Sequence, residues 1–455
     1  MRKAPDLALL GLLLLVTAFF SRYFSKGISV GPVYVTEVVM AVSGVIAVIR
    51  LGGVREVWAA LKRLPIWWLA VIWVFGAFAT VRGLADYSLD FVTEDIGLFD
   101  YTLLIPLVAL VVTDRSRFEA LYATLVACGF VGIAAFSIHF LSDHLANRVN
   151  YLWPLQGAPA GLYMSFAVIW VAARWVNGVR TPKWLIAVVP VGIVLMSLTT
   201  QRSVWLVAVA SLALIVVLAP TQVRLRAAVG MAATIVICFV VAIGAEKATT
   251  TVFGEIQQNS SDATAAGGAQ LSAELTSATG GGSSAEADNI TWRLAYWKEL
   301  ITRMPSEPLG AGFGKPIAFT WNDRKYDFRD GDPGTGIDVA GPHNSFVGFM
   351  YRMGIPAFLA LLGVLFFTGR NVWRAFAAGF ETTGERIMLT TVAAMAVAGA
   401  ASASFNEALD GPFFGLFFWV PLALVLLWPA VVGPGDGGVG ADRRSDPAAP
   451  KPADA

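Results

Sequence analysis

Apolar runs of roughly 20 residues recur along this chain from Leu7 to Leu427. No feature constrains the fold more. A bilayer core offers no water to a bare peptide group, so such a run crosses it as a helix that satisfies its own backbone. Composition agrees: 56% of residues are hydrophobic and 14% charged, where a soluble chain carries about a quarter charged. The predicted fold class is all-α, a polytopic integral membrane protein with about 12 transmembrane helices and one large extracytoplasmic loop. The expected spans are 6–22, 28–49, 66–81, 98–113, 118–140, 157–173, 184–200, 203–219, 228–245, 343–367, 387–405 and 412–432.

Orientation follows from lysine and arginine in the short loops. With the N-terminus inside, the inside segments hold nineteen such residues and the short outside loops and their span ends hold six: Arg22, Lys26, Arg82, Arg148, Arg202 and Arg352. The other eight lie in the long segment 246–341, whose length makes it a poor witness. Both termini are thus expected in the cytoplasm. Arg2 and Lys3 precede a first apolar run that no small-residue cleavage site follows, so it reads as a retained span.

Four regions result. Residues 1–245 hold helices one to nine, 246–341 form the extracytoplasmic loop, 342–432 hold helices ten to twelve, and 433–455 form a Gly/Asp/Pro/Ala-rich cytoplasmic tail expected to be disordered. Within the loop, 257–288 is rich in Ser, Ala, Gly and Thr and is expected to be disordered or loosely helical. Residues 289–303 read as an amphipathic helix on the membrane face, with Trp292, Leu294, Leu300 and Ile301 beside Arg293, Lys298 and Arg303.

Several function classes are excluded or weakened. The net charge of +1 gives no bulk attraction to nucleic acid. Cys128 and Cys238 both lie in apolar runs and read as core or lipid-facing residues. No Walker, Rossmann, HExxH or CxxC pattern occurs, and no cytoplasmic segment is long enough to bind ATP. His139 and His144, five apart, are poorly spaced for one metal on a helix and read as interfacial. The Asp-rich "DFRDGDPGTGID" at 327–338 lacks the glutamate that would close a calcium loop and reads as solvated. No metal and no cofactor is expected.

Ionisable groups near the outer span ends carry the chemistry. Arg202, in "SLTTQRSVWL", falls at a tight helical hairpin. Its five donors suit a diphosphate, and a snorkelling helix cap is the equal alternative. Arg293 and Trp297 are four apart and share one helical face with Lys298 beside them. That face suits an anion or a sugar ring; an ordinary interfacial helix with an aromatic anchor is the competing reading. His343 follows Gly341 and Pro342 at the start of a span, where an imidazole can take a proton from a hydroxyl or cap the helix. Arg352 lies nine residues on, hence on the opposite face and roughly 13 Å deeper in a regular helix. Its expected partner is a buried carboxylate, Glu37 or Glu407.

Three stretches in order resemble the O-antigen ligase and O-antigen polymerase superfamily of bacterial envelope glycosyltransferases. "TTQRSVWL" is similar to its Ser/Thr-rich span end with an arginine. "TWRLAYWKELITRMPSEPLGAGFGKP" is similar to its Arg-x3-Trp helix followed by Pro-Leu-x-Gly-x-Gly-x-Gly. "PHNSFVGFMYRMGIP" is similar to the His-Asn-Ser-aromatic segment that ends its large external loop. The resemblance implies a metal-independent transferase in the bacterial inner membrane, its site facing the periplasm or exterior. The donor would be a glycan on undecaprenyl diphosphate, and the acceptor a lipid A core or another envelope glycan. By the same carry-over Arg202 and Arg293 would hold the diphosphate leaving group, His343 would activate the acceptor hydroxyl, and Asn344 would position that histidine or the sugar. Trp297, Lys298 and Arg352 complete the expected substrate-binding set. Ligase and polymerase share these motifs. A polysaccharide-lipid transporter or flippase and an assembly scaffold are the readings from other classes.

Overall fold

The computed structural model describes residues 4–21, 24, 28–30, 33–146, 158–197, 199, 202–257, 284–321, 324–327, 343–406, 409 and 411–433. In chain order these form α1 (Pro5–Phe20), the hairpin β1 (Ser29–Val30) and β2 (Val33–Tyr34), α2 (Val35–Leu51), α3 (Val54–Leu61) and α4 (Ile66–Asp86). Next come α5 (Leu89–Asp95), α6 (Gly97–Asp100), a single 3-10 turn, α7 (Leu104–Val111), α8 (Arg115–Ala146), α9 (Ala158–Val176), α10 (Lys183–Ile186) and α11 (Val188–Ser197). Then follow α12 (Arg202–Leu218), α13 (Thr221–Gln257), α14 (Ser284–Arg303), the antiparallel hairpin β3 (Ala318–Trp321) and β4 (Arg324–Asp327), α15 (Ser345–Ala378), α16 (Thr383–Ala403) and α17 (Pro412–Val431).

The protein is a helical membrane bundle. Among the described residues seven helices are long and apolar enough to cross a bilayer, and α2 with α3, bent by 116° at Gly52 and Gly53, passes as an eighth. The shorter apolar helices are α1, α10 with α11, and α12. Each of the twelve expected spans contains helix, but two differ in kind. Residues 98–113 are broken at Asp100–Leu103 into α6, a 3-10 turn and α7. There the Thr102 hydroxyl turns back on the Phe99 carbonyl at 2.6 Å, a local bond that competes with the helical ladder. The expected span 28–49 starts with the β1–β2 hairpin, and its helix begins only at Val35, where the Glu37 carboxylate accepts the Tyr34 N–H at 3.0 Å. The amphipathic loop helix begins at Ser284, five residues before expectation. Most of 257–288 and nearly all of the tail lie outside the described residues.

Helices α9, α16 and α17 form the centre, with 83, 78 and 83% of their most apolar windows buried. Trp419, Phe417, Phe166 and Tyr163 fill it. Helices α4 and α13 lie outside, only 28 and 17% buried. On α13 the exposed side chains are Val229, Val236, Ile237 and Val240, the surface that a hydrocarbon solvent accepts and water does not.

The ends of α16 mark the two ends of the bundle. At its start Glu385 pairs with Arg115 at 2.7 Å. Neighbouring arginines there satisfy the last carbonyls of other helices: Arg50 bonds Leu110 O, Arg117 bonds Val111 O, Arg63 bonds Ala109 O and Arg386 bonds Leu218 O. Cations at helix C-termini meet both the orphan carbonyls and the negative end of the dipole. Asp6, fully buried, takes Arg50 and Arg117 at 3.0 Å each. From this arginine-rich end, 21 residues of α16 rise about 1.5 Å each, so its far end is about 30 Å away, the thickness of a hydrocarbon core.

Candidate functional site

The far end of α16 runs into a turn at Ser404–Asn406, and three elements meet it. The first is α12, whose second residue Ser203 donates its hydroxyl to Asn406 Oδ1 at 3.5 Å. The second is α14, from which Arg293 Nη1 donates to the Phe405 carbonyl at 3.4 Å while the Trp297 ring lies 6.4 Å from that of Phe405. The third is α15, whose first residue Ser345 bonds the Asn406 carbonyl through its N–H at 3.2 Å and its hydroxyl at 2.9 Å. Arg202, Arg293 and His343 thus sit on, or one or two residues from, segments fastened to one turn.

Local sequence explains each placement. Asn344 is the N-cap of α15: its Oδ1 accepts the N–H groups of Phe346 and Val347 at 3.0 and 3.1 Å. His343 stands just ahead of that cap with φ 47, a left-handed conformation uncommon outside glycine, in which asparagine, aspartate and histidine are the side chains most often found. Its ring meets Trp292 edge-on at 6.2 Å, and Trp292 in turn packs on Tyr296 at 5.5 Å. The i, i+4 spacing of Arg293 and Trp297 directs both to Phe405, one to its carbonyl and the other to its ring. Both are half-buried and Lys298 is exposed. The backbone of Arg202 opens α12; its side chain, those of His139 and His144, and residues 328–342 of the Asp-rich loop lie outside the described residues.

Arg352 is a correction. It pairs with Asp95 and not with Glu37, whose carboxylate takes Tyr34 N and the Tyr101 hydroxyl; the other expected carboxylate, Glu407, lies outside the described residues. Arg352 Nη2 pairs with Asp95 of α5 at 2.8 Å, and its Nη1 donates to the Gly312 and Lys315 carbonyls. Only 6% of the residue is exposed. Asp95 lies in the segment between the expected spans 66–81 and 98–113. The same Asp95 Oδ2 also accepts the Gly314 N–H at 2.7 Å.

This pairing explains the glycine repeat. Gly310, Gly312 and Gly314 all have positive φ (94, 86 and 74°), as has Gly354 (88°), where α15 breaks two residues before Pro356. The strand of glycines lies against the break and bonds its free groups: Ala311 N to Tyr351 O at 2.8 Å, Gly312 N to Arg352 O at 3.1 Å, and Ile355 N to Pro308 O at 3.0 Å. A Cβ on Gly310 would stand 2.5 Å from Arg352 O, and one on Gly354 2.4 Å from Leu309 C. On the other side Arg82 donates to the Gly310 carbonyl and Phe313 N to Ala79 O at 3.2 Å. The repeat is therefore a backbone-to-backbone seam joining α4, α5 and α15. Beside it a small core of Tyr296, Leu300, Met304, Ala311, Ile317 and Tyr351 seats α14 on α15.

Sequence reasoning gave no site role to Trp292, Ser345, Asn406 or Asp95. The first two stand inside the quoted stretches, where their helical spacing and neighbours were the available signal. Asn406 and Asp95 carry none, since each acts on segments far away in the chain. No curated protein matches this chain. Residues 185–362 match a family model described as O-antigen ligase.

Proposed function

From the O-antigen ligase domain in residues 185–362, we propose that this membrane protein transfers a glycan from undecaprenyl diphosphate to an acceptor hydroxyl at the outer face of the bacterial inner membrane. The observation that carries the reading is the single turn, 404–406, to which the elements bearing Arg202, Arg293 and His343 are all fastened. His343 takes the proton of the acceptor hydroxyl as its oxygen bonds the anomeric carbon. The bond from that carbon to the diphosphate oxygen breaks, and undecaprenyl diphosphate leaves with the electron pair. Charge grows on the bridging oxygen, and the guanidinium groups of Arg202 and Arg293 stabilise it, the task a metal ion performs in other transferases. Trp297, half-buried beside Arg293, supplies an apolar face for a sugar ring, and exposed Lys298 adds positive charge at the rim.

Orientation belongs to the same proposal. The arginine-rich end holds Arg50, Arg63, Arg115 and Arg117, and lysine and arginine mark the cytoplasmic side. The turn at 404–406, about 30 Å away along α16, then faces the periplasm, where a lipid-borne donor presents its diphosphate. We assign Asn344 to capping and aiming His343, and Arg352 to fastening the glycine seam rather than to substrate.

The test is incubation of purified protein with an undecaprenyl-diphosphate-linked oligosaccharide and lipid A core. Release of undecaprenyl diphosphate with growth of the acceptor, both lost in His343→Ala, supports a ligase. Lengthening of the donor glycan without added acceptor assigns a polymerase. Movement of the intact lipid-linked glycan across liposomes without bond cleavage overturns the transferase.

A further inference from the structure

We propose that Ser345 and Asn406 are positioning residues that hold the base and the leaving-group cations of the reaction in one site; this rests on the transferase reading above. Ser345 is only 2% exposed. Its hydroxyl works in both directions: it donates to the Asn406 carbonyl at 2.9 Å and accepts the Leu409 N–H at 3.0 Å. Leu409 is fully buried, so its amide has no recourse to water if that acceptor goes. One hydroxyl thereby ties the start of the His343 helix to the chain on both sides of residues 407–408.

Asn406 adds the other connections. Its side-chain amide nitrogen donates to Ser402 O at 3.1 Å, which anchors the turn to the end of α16, and its Oδ1 takes the Ser203 hydroxyl beside Arg202. The preceding carbonyl, Phe405 O, receives Arg293. Each proposed reacting group is thus one to three residues, or one hydrogen bond, from this clasp. Neither Ser345 nor Asn406 needs to touch substrate. They fix the relative position of groups that come from helices separated by up to 141 positions in sequence (202 to 343), and displacement of such groups by about 1 Å costs on the order of 100-fold in rate.

The clasp separates from an ordinary packing contact by kinetics. Ser345→Ala, Asn406→Ala, Ser211→Ala and His343→Ala are purified in full-length form and assayed with the undecaprenyl-diphosphate oligosaccharide, with rates normalised to folded protein. Ser211 is an equally buried serine, 1% exposed, whose hydroxyl bonds only carbonyls of its own helix. The expected result is a loss of about 10- to 100-fold in kcat for Ser345→Ala and Asn406→Ala, with donor KM little changed. Ser211→Ala should turn over as the parent does. Wild-type kcat in both clasp variants, or an equal loss in Ser211→Ala, overturns the positioning role. Wild-type kcat in His343→Ala instead overturns the transferase reading itself, so the two failures are distinct.

Discussion

At the scale of single residues, His343 combines two demands that pull against each other. The chemistry proposed for it needs an imidazole; the backbone at φ 47 strains any side chain, though histidine and asparagine bear it better than most. His343→Asn keeps a side chain that tolerates this conformation and removes the base. Its thermal unfolding midpoint should equal or exceed the parent's while transfer falls by at least ~100-fold, and transfer at the parent's rate would remove His343 from the reaction. Arg293 gives a matching test. Its loss in Arg293→Ala should raise the barrier by about 2.7–4 kcal/mol, read as kcat and kcat/KM falling together, since charge on the leaving oxygen exists only in the transition state. The candidacy of both residues was legible from type and spacing. Their convergence was not, because it runs through Asn406 and Phe405, more than 60 positions away from either.

At the scale of elements, the α15 break decides the most. A glycine followed two residues later by proline is a readable signal, and Gly354 with Pro356 does end the regular helix. What covers the break was not readable, since Asp95 lies 257 positions from Arg352. Two substitutions test the seam. Gly354→Ala forces a side chain into φ 88 and places its Cβ 2.4 Å from Leu309 C; backbone strain alone costs about 1–3 kcal/mol, so the unfolding midpoint should drop markedly. At Asp95 the order of two variants is diagnostic. Asp95→Asn keeps an acceptor for Gly314 N–H, whereas Asp95→Ala takes the Asp95 acceptor from both that amide and Arg352 Nη2, leaving the guanidinium its Nη1 bonds to the Gly312 and Lys315 carbonyls. The alanine variant should be the less stable by about 1–3 kcal/mol, the cost of a deserted buried polar group. Equal midpoints for the two would mean that the ion pair alone, and not the double acceptance, holds the seam.

For the molecule as a whole, apolar run length predicted where helices lie, and the breaks at 101–103 and 29–34 escaped it because local side-chain hydrogen bonds decided them. Among the basic residues predicted inside, Arg50, Arg63, Arg117 and Arg386 meet helix C-terminal carbonyls at the end where α16 begins. The expected sidedness is open to direct measurement, because the native cysteines are shielded: Cys128 is 0% and Cys238 2% exposed. Cysteines introduced at the exposed positions Lys298 and Arg55 should react oppositely with an impermeant maleimide. In spheroplasts Lys298→Cys should label at once and Arg55→Cys only after permeabilisation. The reverse pattern would turn the site toward the cytoplasm and end the proposal of a periplasmic donor.

The alternation of Gly310, Gly312 and Gly314 carries one more consequence. Each glycine has its own neighbour: Gly310 stands against the backbone of α15, Gly312 against Ala79 and Arg82 of α4, and Gly314 against Phe91 and Val92 of α5. Chain length between Leu309 and Lys315 is therefore as constrained as composition. A single alanine inserted there would put every later glycine out of phase and present a methyl group where two backbones touch. Two inserted residues would carry the later glycines away from their own neighbours just as one does, so an even insert should be as damaging as an odd one.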